Sequence, residues 1–147
     1  MTILGTNSAG LLNKKESFLR TIETFQPAVF FVQETKAKRK NEIKLKDYVT
    51  FEHIRKDKGG GGLLTAVHRN LAPVCVSSNE DTEILVVEAK TGNSKTRFIN
   101  AYGPQENCDD DIKETFYNNL DTEVKKSKLS GTVVDLLNHY NLNLQMY

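Results

Sequence analysis

The sequence has little that would tie it to an oxidising compartment or a bilayer. Two cysteines, Cys75 and Cys108, offer neither metal-ligand spacing nor a disulfide framework. Cys75 lies in the apolar run PVCVSS, where a free thiol behaves as a small hydrophobe. A reducing compartment is therefore expected. The N-terminus lacks a charged segment followed by a long apolar run, so the expected location is nuclear or cytoplasmic, not secreted. No apolar stretch approaches the roughly 20 residues needed to span a bilayer, which argues against a membrane partner. Repeats and low-complexity tracts are missing too, apart from the glycines Gly59 to Gly62. The histidines (His53, His68 and His139) have no carboxylate or cysteine at ligand spacing, and each reads as structural.

What is present is the composition of a soluble globular domain, 38% hydrophobic and 27% charged over 147 residues, enough for one real core. The net charge of +1 predicts no partner, yet its distribution is uneven. Between Lys36 and Lys58 nine Lys/Arg face four Asp/Glu; between Glu80 and Glu123 eleven Asp/Glu face four Lys/Arg. Such a chain could meet phosphate on one face and metal near another. On charge alone the plainer reading is solvated loops and helix faces.

The order of elements is that of an α/β sheet with packed helices. MTILG is the end of a first strand, and Asn7, Ser8 and Gly10 form a turn. Leu12, Phe18, Leu19, Ile22 and Phe25 recur at near-helical spacing until Pro27 stops the helix. AVFFVQ, from Ala28 to Gln33, is too short for a helix and rich in β-branched and aromatic residues, so it reads as a buried strand. YVTFEHIR follows after a polar stretch, and LLTAVHR, PVCVSS, EILVVEA and TRFINAY are further strands separated by turn residues. Ile112, Phe116, Leu120 and Val124 then mark a helix opened by an acidic cluster.

Four features could carry chemistry. The glycine run lacks a following Lys-Ser/Thr and leads into a strand, so it forms no phosphate cradle and marks a bulge or close backbone approach. Asn7 and Glu34 each stand just beyond the C-terminal end of a strand, the rim where open α/β sheets bind ligands. A carboxylate beside an amide there is a hard oxygen site suited to Mg²⁺, although either residue alone would be an ordinary loop residue. Tyr102 closes the strand RFINAY ahead of Gly-Pro, either as a fixed phenol donor or as a tyrosine at the core's edge. Lys36, Lys38, Arg39 and Lys40, directly after Glu34, either attract phosphate or form a solvated loop.

Three strand-end signatures thus stand in order, TNSAGLLNK around Asn7, FFVQETK around Glu34 and INAYGPQE around Tyr102, with a glycine cluster between the second and third. Together they resemble the endonuclease/exonuclease/phosphatase superfamily, and within it the endonuclease domain of LINE-type (non-LTR) retrotransposons. The resemblance covers residues 1–129. It implies a DNase I-like four-layer α/β/β/α sandwich and Mg²⁺-dependent hydrolysis of phosphodiester bonds, with DNA as partner. It also implies that Glu34 is the metal carboxylate, that Asn7 helps place metal and phosphate, and that Tyr102 hydrogen-bonds a phosphate oxygen. Where members often carry Asn shortly after that tyrosine, this chain has Gln105, whose amide would take the phosphate-binding role.

The family's water-orienting Asp-x-Asn and C-terminal Asp-His are both missing from the sequence. In VVDLLNHYNL the positions Val133, Leu136, Leu137 and Tyr140 suggest a helix, which would separate Asp135 and Asn138 by roughly 300° around its axis. Residues 130–147 are therefore expected to be a helix joined after Gly131 through loss of the intervening strand, leaving the C-terminal part of the sandwich absent. On that reading the second sheet is incomplete, with self-association through its edge, and activity is small or nil. The alternative function is a non-catalytic remnant that binds metal or nucleic acid weakly.

Overall fold

A computed structural model describes residues 1–55, 60–79, 81–127 and 132–138, with backbone alone for 127 and 132–138. The elements run β1 (Ile3–Asn7), a 3₁₀ turn (Leu12–Lys14), α1 (Lys15–Phe25), β2 (Val29–Gln33), β3 (Tyr48–His53), β4 (Leu63–His68), a second 3₁₀ turn (Arg69–Leu71), β5 (Val74–Asn79), β6 (Ile84–Thr91), β7 (Ser94–Tyr102), α2 (Asp110–Ser127) and β8 (Thr132–Asn138). Two four-stranded sheets result, ordered β1-β2-β4-β3 and β5-β6-β7-β8.

Period-2 alternation explains why both sheets are apolar on both faces. In β2, Val29 and Phe31 join Leu63, Val67, Leu85, Val87 and Phe98 in the core between the sheets. Phe30 and Val32 point the other way, under Phe18 and Ile22 of α1. Across the second sheet, Ile84, Val86, Ile99 and Ala101 pack against Phe116 and Leu120 of α2. The layers are therefore α/β/β/α, as the resemblance implies. Along α2 the four-residue spacing overshoots 3.6 residues per turn, and Ile112 drifts out to 52% exposure while Phe116 stays buried at 3%.

Two amides fasten the sheets to each other just below one rim. Gln33 Nε2 donates to the Ala101 carbonyl at 2.7 Å. Asn100 Nδ2 reaches the Val32 and Leu64 carbonyls at 3.3 and 3.1 Å and Thr65 Oγ1 at 3.3 Å. Further along β7, Arg97 anchors α2 through Glu123 Oε2 at 3.2 Å and pairs with Glu88 Oε1 at 3.3 Å.

The C-terminal segment departs from the sequence expectation. Residues 132–138 are not helical; they form β8, parallel to β7, with Asp135 opposite Ile99 and Asn138 opposite Tyr102. The physical reason is pairing. Thr132, Val133 and Val134 are β-branched and stiff, the run is too short for periodicity to decide, and the open edge of β7 supplies hydrogen bonds that a helix would leave unused. The β7 edge expected to be vacant is thus filled. His139 and Tyr140, with the rest of the expected helix, lie outside the described residues.

Candidate functional site

The parallel pair β1–β2 ends level, with Asn7 opposite Gln33, so Asn7 is the last strand residue rather than part of the turn. The chain leaving β2 places Glu34 directly beyond it. Glu34 adopts a left-handed backbone at φ 51, rare for a residue with a side chain. Its carbonyl accepts from Gly10 N at 2.8 Å and Ser8 Oγ at 3.0 Å, which ties the two strand ends together.

On this rim three of the sequence candidates meet. Asn7 Nδ2 donates to Glu34 Oε1 at 3.0 Å, and Tyr102 OH donates to the same oxygen. Asn7 is oriented by its own Oδ1, which accepts from Ala9 N at 3.1 Å. The Asn7 amide, then the Tyr102 phenol and, more weakly, Lys36 hold the Glu34 carboxyl below the usual carboxylate range, against the upward push of partial burial. Gln105 is not drawn into this group. It is exposed in the turn after β7, where its carbonyl accepts from Cys108 N at 3.0 Å.

The donor set suits a hard divalent cation. Both hydrogen bonds to Glu34 fall on Oε1, which leaves Oε2 open to a ligand among the described residues. No group of three or more His, Cys, Asp or Glu that could cage a metal occurs among the described residues. One anionic carboxylate fits an ion that keeps its waters and takes phosphate oxygens, as Mg²⁺ does, while the Asn7 amide oxygen is already engaged by Ala9 N. The chain's part would be Glu34, with Asn7 beside it.

Sequence reasoning missed Glu83. It precedes β6, and because Ile84 pairs antiparallel with Ala101 it shares the rim with Tyr102. Burial raises its carboxyl above the ordinary range, the charge on Glu34 adds to that, and the Gly62 N–H and Arg55 oppose it. Its one signal in the sequence was a carboxylate at the head of an apolar strand.

No protein-family model and no curated protein matches the chain. Solved structures do. The endonuclease domain of TRAS1, a telomere-specific non-LTR retrotransposon, is 16% identical with a TM-score of 0.63, over 92% of this chain and 57% of that one. The 3′ phosphatase NExo from Neisseria, bound to a product DNA hairpin, is 13% identical with a TM-score of 0.67, over 94% and 57%. The AP endonuclease LMAP from Leishmania major is 21% identical with a TM-score of 0.58, over 71% and 40%. The chain spans about half the length of these proteins, and what it shares with them is the DNase I-like fold.

Proposed function

We propose that this chain, folded as those nucleases are, forms the metal- and phosphate-binding part of a Mg²⁺-dependent DNA phosphodiesterase of the retrotransposon endonuclease type. The observation that carries the reading is the convergence of Asn7, Glu34 and Tyr102 on a single carboxylate oxygen from the ends of β1, β2 and β7. Mg²⁺ bound there would stabilise charge on a phosphate oxygen. The chain's own residues do the rest of what can be assigned. Glu34 stays anionic, and Asn7 fixes its rotamer. Tyr102 has one hydroxyl hydrogen, which Glu34 now accepts, so a phosphate contact requires that hydrogen to turn away. The exposed Lys36, Lys38, Arg39 and Lys40 beside the rim supply sequence-independent attraction for a nucleic-acid backbone.

The test is nicking of supercoiled plasmid by the purified chain with Mg²⁺. Nicking that disappears in Glu34→Ala supports the reading. Nicking that survives the substitution would assign the activity elsewhere. A second reading is binding without turnover, which the rim geometry also supports, since the Glu34 carboxylate is held by Asn7 and Tyr102 as a ligand rather than aimed at a water as a base. Plasmid left supercoiled, with divalent-cation binding still dependent on Glu34, would support that reading instead.

A further inference from the structure

Glu83 faces two ways at the rim. Its backbone carbonyl accepts from Tyr102 N at 2.9 Å. Its side chain, 13% exposed, accepts from Gly62 N and lies 3.6 Å from the guanidinium of Arg55. The Gly61 and Gly62 carbonyls in turn accept from Lys36 N at 2.8 Å and Thr35 N at 3.1 Å. Those two amides belong to the residues directly after Glu34. Two short paths of hydrogen bonds therefore leave one residue and end at both partners of the Tyr102–Glu34 contact.

The glycines make this approach possible. A Cβ at Gly61 would run into the Glu83 carboxylate, and one at Gly62 would lie 2.5 Å from Thr35 Oγ1. Both have positive φ, 73° and 90°, which side-chain-bearing residues rarely adopt. The brace also bears on strain. A left-handed backbone at a non-glycine residue persists only where its surroundings over-determine it, and Glu34 has that conformation between Ser8 and Gly10 on one side and the glycine loop on the other.

We propose that Glu83 is a positioning residue of this site: through its carbonyl it holds Tyr102, and through Gly61 and Gly62 it holds the Thr35–Lys36 backbone, so that the Glu34 carboxylate is set for a divalent cation. The inference rests on the metal-binding reading of Glu34. A carboxylate here is the costlier acceptor, because it is buried and faces a second carboxylate. The neutral amide of glutamine presents an acceptor of the same shape to Gly62.

The experiment compares the wild-type chain with Glu83→Ala, Glu83→Gln and Glu34→Ala by two measurements: Mn²⁺ affinity by calorimetry, and amide hydrogen exchange by NMR. In Glu83→Ala, exchange at Thr35 and Lys36 should accelerate at least tenfold while core amides such as Phe31 and Val67 keep their protection. Mn²⁺ affinity should fall about tenfold in parallel. Glu83→Gln should restore both to within about threefold of wild type. Unchanged exchange at Thr35 and Lys36 in Glu83→Ala overturns the brace, whatever the metal does. Unchanged Mn²⁺ affinity in Glu83→Ala, with affinity lost in Glu34→Ala, overturns the positioning role and leaves the metal site standing. Wild-type chain that fails to bind Mn²⁺ refutes the metal reading and with it the positioning role, while the exchange rates still decide whether the brace exists.

Discussion

Tyr102 is the last residue of a strand in one sheet, and Glu34 the first residue beyond a strand in the other, and the phenol donates to the carboxylate across the gap. The same oxygen accepts from Asn7. The charge that would attract a cation is thus stabilised jointly by both sheets.

Removing either donor should raise the Glu34 pKa, Asn7→Ala more than Tyr102→Phe, because the amide is the larger cause of the depression. A ¹³C NMR titration of the side chain measures this. The sign for stability follows. A carboxyl with a lowered folded pKa stabilises the native state above its unfolded value and loses that contribution as pH falls through the folded pKa. The variants should therefore differ most from wild type near neutrality and converge in acid. Mn²⁺ binding by Asn7→Ala should weaken more steeply on acidification than binding by the wild type.

Glu83 has the opposite sign. Its folded pKa is raised, so its favourable contribution is complete below the unfolded value and is lost as pH rises through the folded pKa. Glu83→Gln keeps the acceptor for Gly62 and removes the buried charge. Its melting temperature should exceed that of the wild type by more at pH 7 than at pH 4, because the cost of the buried charge falls as pH drops through the folded pKa. Calorimetry at the two pH values checks this; a gain that grew in acid would contradict the burial argument.

Asn100→Ala should cost about 2 kcal/mol in urea unfolding, because the fully buried amide serves the Val32 and Leu64 carbonyls and Thr65. Asn100→Asp, which brings a charge to the same carbonyls, should cost more. A free-energy loss below the uncertainty of the extrapolation would show that those carbonyls are satisfied without it.

Arg97→Met should be worse, about 3 kcal/mol, since it leaves Glu88, with its side chain only 19% exposed, facing the vacated site, while Glu123 keeps Lys126. Chemical denaturation measures the cost.

How much of this was legible in the sequence depended on which rule each residue obeyed. The rule that open α/β sheets bind ligands at the C-terminal ends of strands picks out Asn7 and Glu34, and Tyr102 stands out as the close of its strand; both readings need only strand boundaries. Glu83 is at the start of a strand, where that rule does not look. Placing it on the same rim requires knowing that β6 and β7 are antiparallel neighbours, which is a long-range fact. The glycine run was legible as a close approach, but its partners, Thr35 and Glu83, were not. The segment 132–138 failed for the converse reason: a local 3.6-residue pattern was real, and a vacant strand edge outweighed it.

The amides of Gln33 and Asn100, which bridge the layers under the rim, have a consequence for intermediates. Glu34 and Tyr102 share no strand and no sheet, so their hydrogen bond gauges how far one layer has slid past the other. A slip of a single residue, about 3.4 Å, would part them while leaving every strand ladder intact. A compact state with full secondary structure and loosened interlayer packing would therefore have two half-sites and no site. Divalent-cation affinity would report the locking of the sandwich rather than the formation of its strands.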